Sequence, residues 1–143
     1  MKILLILSVI LFFPAGNFAS SDYGAFFDEA GKYYNINPSL LNAIAKTESN
    51  INPDALNCAN SNQSCDYGIM QINAVHLPKL KKYGISKEDL LKPRINIFVG
   101  AWVLKNCINK NGTNFKALNC YNGKIENNNY FLLVLKNYEY SKS

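Results

Sequence analysis

One glutamate stands at the end of a stripe of apolar side chains. Leu41, Ile44 and Ala45 precede Glu48 by seven, four and three positions, so a helix would place all four residues on one face. A carboxyl group at the end of a buried face is poorly solvated, and poor solvation raises its pKa. Such an acid stays protonated near neutral pH, as proton donation to a glycosidic oxygen requires. The alternative is a glutamate at a helix end that simply reaches water.

Helical patterns dominate the elements that must position this acid. Asn37 followed by Pro38 gives an N-cap and a proline at the first helical position, which opens the helix that carries Glu48 and ends near Ser49. Apolar periodicity predicts further helices over residues 22–34, 75–83, 96–108, 114–121 and 130–138. The 96–108 segment is apolar nearly all round, which is typical of a central, buried helix.

The remaining segments predict loops and turns. Residues 57–66 lack periodicity and predict a loop, residues 67–73 predict a strand-like segment or a tight turn, and Pro93 predicts a break in the chain. No pair of alternating strands joined by a hairpin turn is evident. The predicted fold class is therefore mainly α, in one domain.

Composition and charge narrow the function classes. The chain has 143 residues, 48% hydrophobic and 17% charged, which suits one domain with a core of its own. The formal net charge is +5, but the basic residues are scattered and form no arginine-rich stripe, so nucleic-acid binding is not expected. The single histidine, His76, cannot complete a zinc site. No metal and no cofactor are expected.

The first 21 residues predict a secretory signal peptide. Lys2 supplies a positive n-region, an apolar run spans residues 3–13, and small residues stand at Ala19, Ser20 and Ser21. The run is short for a membrane helix, which needs about 20 apolar residues, so stable membrane insertion after cleavage is not expected. We predict a periplasmic or otherwise exported protein whose mature domain covers residues 22–143. The alternative is an uncleaved N-terminal anchor.

The predicted export bears on whether the four cysteines form disulfide bonds or bind a metal. Their number is even, and an oxidising compartment favours a disulfide framework over a metal site. Three pairings are possible in principle. We favour one bond that closes a short loop, Cys58–Cys65, and one that ties two neighbouring helices, Cys107–Cys120.

Three short motifs, in order along the chain, carry a resemblance to a known family. They are Ala45-Lys46-Thr47-Glu48-Ser49, Tyr67-Gly68-Ile69-Met70-Gln71-Ile72-Asn73 and Cys120-Tyr121-Asn122. The chain resembles the soluble lytic transglycosylases, and among them the small single-domain members that accompany secretion and conjugation machines. The resemblance covers about residues 26–123 and includes the pattern His76-Leu77…Leu80…Gly84 and Asn96-Ile97…Gly100-Ala101.

The resemblance implies a lysozyme-like fold of the goose-type and lytic transglycosylase kind, with a groove for a β-1,4-linked GlcNAc–MurNAc strand. It implies that Glu48 is the single catalytic acid and base, and that the tyrosine of the third motif lies beside it. The residues that it implies as assisting or substrate-binding are Ser49, Gly68, Met70, Gln71, Asn73, Tyr121 and Asn122. The expected partners are the peptidoglycan glycan strand and components of a secretion or conjugation machine.

The chemistry implied by the resemblance needs one carboxylate instead of the usual pair. After donating its proton, the glutamate would deprotonate the MurNAc 6-hydroxyl, whose oxygen closes onto the anomeric carbon and gives a 1,6-anhydro product. A second acid, Asp66, stands close to the second motif and would serve a hydrolytic muramidase of the same fold, although an aspartate that turns the chain before Gly68 is the favoured interpretation. A non-catalytic wall-binding or assembly protein is a further alternative.

Two positions depart from the family pattern. The third motif usually continues Tyr-Asn-small-Gly, whereas here Gly123 comes one place early and Lys124 occupies the usual glycine position. The turn after Asn122 is therefore expected to differ. Relatives of the secretion-linked group often carry a cysteine just after the proline equivalent to Pro93, where this chain has Arg94, so their disulfide arrangement is not transferred.

Overall fold

The computed structural model describes residues 23–140. The predicted signal peptide, residues 1–21, and the first residue of the predicted mature domain lie outside the described residues. Six α-helices fill the described part, in agreement with the predicted mainly α, lysozyme-like class. They are α1 Gly24–Tyr34, α2 Pro38–Ser49, α3 Leu77–Lys81, α4 Pro93–Asn111, α5 Phe115–Tyr121 and α6 Tyr130–Tyr140.

Helix α2 begins and ends where local chemistry dictates. The Asn37 side chain accepts a hydrogen bond from the Ser39 N–H at 2.9 Å, and Pro38 occupies the first turn, where its missing N–H costs nothing. Asn50 ends the helix in the left-handed conformation, with φ 54°. Leu41, Ile44 and their neighbours on that face are buried, and α2 packs against α1 and α6. The predicted apolar face therefore holds Glu48 at the last turn of a buried helix.

Helix α4 is the central element, as its apolar composition predicts. It packs against α1 and α5, and most of its side chains are buried. The predicted break lies at Pro93, but Pro93 also opens this helix, so the helix begins three residues before the predicted start at Asn96. Proline at the first helical position loses no hydrogen bond, and its fixed φ suits the helix.

A small antiparallel sheet was not predicted from the sequence. Its strands, in the order β1-β2-β3, are Leu56–Asn57, Asp66–Tyr67 and Ile72–Asn73. Leu56 pairs with Tyr67, and Asp66 pairs with Asn73. Each strand has only two residues, too few for an alternating pattern to be visible in the sequence. The sheet brings the loop of residues 57–66 and the second motif together.

Both favoured disulfides are present. Cys58–Cys65 closes the loop between β1 and β2, and Cys107–Cys120 joins α4 to α5. The second bond lies directly before Tyr121, so it fixes the end of α5 against α4. None of the helices described between residues 23 and 140 combines the length and the apolar character needed to cross a membrane.

Candidate functional site

Glu48 lies in a groove of about 890 Å³. The carboxyl group extends from the last turn of α2 and is half-buried. The pKa of Glu48 is raised from its ordinary value of 4.5 to about 7. Burial has the largest effect and raises the pKa, the hydrogen bond from Tyr130 lowers it, and the nearby Asp66 charge raises it. An acid with a pKa near 7 is protonated in an appreciable fraction of molecules at neutral pH, so it could both donate and accept a proton there.

Tyr130 makes the hydrogen bond to this carboxyl group. Its hydroxyl donates to Glu48 Oε1 at 2.5 Å, and its ring is buried at the start of α6. Burial raises the pKa of Tyr130 far above its usual value, and the Glu48 charge adds to this effect. The phenol therefore stays protonated and remains a donor. Sequence reasoning missed this residue, because nothing in its local pattern separates it from an ordinary core tyrosine.

Tyr121 lines the groove and makes a different hydrogen bond. Its hydroxyl donates to the Met70 carbonyl at 2.8 Å, not to Glu48. Burial raises the pKa of Tyr121, and the Glu48 charge raises it further. The two groups are therefore close enough to interact electrostatically. The hydrogen bond of Tyr121 secures the second motif, and the phenol that contacts the acid directly is that of Tyr130.

The buried side-chain amide of Asn96 fixes the backbone of the second motif through hydrogen bonds. The Asn96 side chain accepts a hydrogen bond from the Met70 N–H at 2.7 Å, and its Nδ2 donates to the carbonyls of Tyr67 and Leu90 at 2.7 and 2.6 Å. Gly68 has φ +73°, and a Cβ there would lie 2.4 Å from both Asn96 Nδ2 and the Leu90 carbonyl oxygen. Only glycine leaves room for these two groups, so Gly68 allows the backbone of the second motif to pack closely against Asn96 and Leu90.

Several residues of the motifs support the groove without lining it. The Met70 side chain is fully buried and packs against Gly100, where a Cβ would meet its sulfur at 2.4 Å. Ser49 donates from Oγ to the Ile69 carbonyl at 2.7 Å, which ties the end of α2 to the second motif. Gly68, Met70 and Ser49, which the resemblance implies as assisting or substrate-binding residues, therefore lie behind the groove wall.

Gln71, Asn73 and Asn122 do line the groove. Gln71 adopts φ 49°, and its Nε2 donates to the carbonyls of Ala55 and Gly68 at 3.2 and 3.0 Å. Asn122 is exposed at the end of α5, where its Oδ1 accepts from Asn128 Nδ2 at 3.2 Å. Gly123 follows with φ +89°, so the early glycine lies in the turn after Asn122.

Asp66 is a second carboxylate in the groove lining. It lies in strand β2, where amide groups surround it: Asn73 Nδ2 donates to one oxygen at 2.7 Å, and Asn60 Nδ2 donates to the other at 2.9 Å. Asn57 Nδ2 lies 3.5 Å from that second oxygen. The predicted role as a turn residue is wrong, because Asp66 is a strand residue whose side chain faces the groove.

Across residues 23–140, no group of three His, Cys, Asp or Glu side chains is arranged to hold a metal ion. Among the side chains that line the groove are the carboxyl groups of Glu48 and Asp66 and the phenol of Tyr121.

Comparison with known proteins places these residues in a family context. The family model described as the transglycosylase SLT domain matches residues 25–132, which include Glu48, Asp66, Tyr121 and Tyr130. A peptidoglycan-binding-like protein of Escherichia coli O157:H7 is 40% identical over 128 residues, covering 85% of this chain and 75% of that protein.

Two shorter matches are also informative. Invasion protein IagB of Salmonella typhimurium (strain LT2) is 42% identical over 95 residues, covering 66% of this chain and 59% of that protein. Protein IpgF of Shigella flexneri is 43% identical over 96 residues, covering 66% of this chain and 62% of that protein.

Proposed function

Because the chain belongs to the transglycosylase SLT domain family, whose members are lytic transglycosylases acting on peptidoglycan, we propose that it cleaves the β-1,4 bond between MurNAc and GlcNAc without water and leaves 1,6-anhydroMurNAc ends. The observation that carries this proposal is the state of Glu48. A half-buried carboxyl group with a pKa of about 7, in a groove, suits an acid that must first donate and then accept a proton.

The reaction uses this one acid twice. Protonated Glu48 donates its proton to the glycosidic oxygen as the bond to the anomeric carbon breaks. The resulting carboxylate then takes the proton of the MurNAc 6-hydroxyl, whose oxygen bonds to the anomeric carbon. The attacking group is already part of the sugar, so its effective concentration is high and water is not required. Tyr130 holds the carboxyl group in position and stabilises its ionised form between the two steps.

Asp66 supports a second candidate function, hydrolysis by a muramidase. Two carboxyl groups in the same groove are the arrangement that hydrolytic glycosidases use. The amides of Asn60 and Asn73 hold the Asp66 side chain in the groove lining, and its charge raises the pKa of Glu48. In this function Asp66 would stabilise the positive charge at the anomeric carbon, and water would complete the reaction.

Mass spectrometry of the muropeptides released from purified sacculi tests the proposal. Anhydro ends support the transglycosylase, and products heavier by one water support the muramidase. The Asp66→Asn variant tests whether the second carboxylate contributes to the release of either product. Asp54→Asn is the matched control, because Asp54 is an exposed loop acid outside the groove lining. Product release that survives Glu48→Gln undiminished would contradict both, and binding to sacculi without any release would leave a non-catalytic wall-binding protein.

Export and a partner machine complete the proposal. A substrate in the cell wall requires an exported enzyme, which supports cleavage of residues 1–21 and a mature domain over residues 22–143. One relative is named an invasion protein, which favours a role in opening the wall for a secretion or conjugation apparatus. The N-terminal sequence of the protein recovered from the periplasm tests the cleavage. A chain that keeps Met1 would contradict it.

A further inference from the structure

One wall of the groove is the face of α4 that carries the only tryptophan of the chain. Trp102, Asn106 and Lys110 follow one another at four-residue intervals, so they share a face of the helix, and all three line the groove. Trp102 is 8% exposed. Its indole is therefore largely covered, and its exposed part and Lys110 belong to the same groove lining.

Two residues of the neighbouring segment contact this indole. The His76 ring lies edge-on to it, with centroids 5.7 Å apart and an interplanar angle of 79°. The Lys79 Nζ lies over the indole, 4.8 Å from the ring centroid, a cation–π contact that holds a flexible side chain at a defined place. Burial lowers the pKa of His76, and the Lys79 charge lowers it further, so the imidazole is neutral at neutral pH. The positive charge of this cluster is therefore that of Lys79.

The groove lining contains both acidic and cationic side chains. Glu48 and Asp66 are its acids, and Lys79 and Lys110 contribute the ammonium groups. In the part of the chain that the structure describes, neither ammonium group lies within ion-pair distance of a carboxylate. Two cations without anionic partners, one of them fixed over an aromatic ring, favour a ligand that carries negative charge.

The substrate class of the proposed function offers one such charge. Each MurNAc carries a lactyl ether that ends in a carboxylate, either free or extended by a peptide stem with carboxylates of its own. GlcNAc carries none. A glycan strand in the groove therefore presents negative charge only at every second sugar.

We infer that Trp102, Lys79 and Lys110 form a subsite that binds a carboxylate appended to MurNAc, so that the groove selects charged strands and sets their position relative to Glu48. This inference rests on the proposed function, because it assumes a glycan strand in the groove. It assigns to Lys79 and Lys110 the recognition of charge, and to Trp102 the contact with the sugar or with the apolar part of the lactyl arm.

Binding measured through Trp102 fluorescence tests the inference. The full mature chain carrying Glu48→Gln, which keeps the probes intact, is titrated with a peptide-free GlcNAc–MurNAc tetrasaccharide, its peptide-bearing form, and both compounds with their carboxylates amidated. We expect the charged forms to bind about two- to fivefold more tightly than the amidated ones, the range of an exposed ion pair, with the preference weakening as salt rises. If the peptide-free compound binds more tightly in its charged than in its amidated form, the subsite binds the lactyl carboxylate. If only the peptide-bearing compound shows this preference, the subsite binds a carboxylate of the peptide stem.

Charge-changing variants identify the residues responsible. Adding Lys79→Gln and Lys110→Gln should remove the preference while the amidated probes still bind. Lys81→Gln is the matched control, because Lys81 lies on the same helix as Lys79 but outside the groove lining. Equal affinity for charged and amidated probes, no binding of any probe, or a preference that persists in the double variant would overturn the inference. Digestion of sacculi by the wild type reports separately on the proposed function, because cleavage without charge preference refutes only the subsite.

Discussion

The hydroxyl of Tyr130 donates a hydrogen bond to Glu48 Oε1 at 2.5 Å, across 82 positions of the chain. The two residues come from α6 and α2, which pack against one another. The contact opposes burial, because burial favours the protonated carboxyl group and the phenol favours the ionised one. The balance of these two effects places the pKa of Glu48 at about 7.

Tyr130→Phe should therefore raise the pKa of Glu48 above about 7. The variant removes a hydrogen bond that stabilises the charged form and leaves the burial in place. A hydrogen bond to a charged group contributes about 1.5 kcal/mol or more, which corresponds to roughly one pH unit. The alkaline limb of the pH profile of kcat/KM should move upward by about that much, since the reaction begins with protonated Glu48.

Tyr138→Phe is the control for this measurement. Tyr138 lies on the same helix, and its hydroxyl accepts a hydrogen bond from Asn37 Nδ2 outside the groove lining. Its removal should leave the limb where it is. An alkaline limb that stays in place or falls in Tyr130→Phe would show that the phenol does not control the ionisation of Glu48.

Glu48→Gln should stabilise the protein relative to the wild type, and this difference should increase as pH rises. The folded pKa of Glu48 is about 7, against an ordinary value of 4.5, so between these values the unfolded chain binds fewer protons and stability falls with rising pH. Above pH 7 the full cost is present, up to about 3 kcal/mol. Urea unfolding at pH 4.5 and at pH 8 measures the free energy of unfolding of the wild type and the variant. The difference in favour of the variant should be larger at pH 8 than at pH 4.5.

Glu88→Gln provides the comparison for stability. Glu88 is exposed and lies outside the groove lining, so its substitution should produce no comparable change between pH 4.5 and 8. A Glu48→Gln variant whose stability tracks that of the wild type across this range would indicate that the carboxyl group is well solvated.

Alanine substitutions at three glycines distinguish the cost of a steric clash from the cost of a strained backbone conformation. Gly68→Ala should destabilise the protein by about 3 kcal/mol or more, because it adds a clash with Leu90 and Asn96 to the strain of positive φ. Gly123→Ala has the strain alone and should cost about 1–2 kcal/mol. Gly24→Ala, at a helical position with open space, should cost nothing. Thermal unfolding ranks the three, and a Gly68 variant as stable as the Gly123 variant would contradict the packing behind the second motif.

The helix that carries Glu48 could be predicted because its determinants are local. The Asn37-Pro38 start and the apolar face of Leu41 and Ile44 act within a few turns. The disulfide pairing followed from loop length and from the order of the helices. The three-stranded sheet could not be predicted, because strands of two residues leave no periodic signal.

The environment of the acid depends on contacts between distant residues. Tyr130 and Trp102 lie 82 and 54 positions after Glu48, and an apolar aromatic residue on a helix predicts only burial. The buried position of Met70 was missed for a related reason, since its motif implies the groove whereas its side chain packs on Gly100. Pro93 shows the limit of single-residue rules, because the same residue ends one segment and opens the next.

Release of soluble muropeptides from intact sacculi by the wild type and by Glu48→Gln tests the role of Glu48 most directly. The wild type should release them near neutral pH, and the variant should be slower by about 100-fold or more, the contribution of a general acid. Glu88→Gln, which changes an exposed acid, should match the wild type. A Glu48→Gln enzyme as fast as the wild type would contradict the assignment of the catalytic acid.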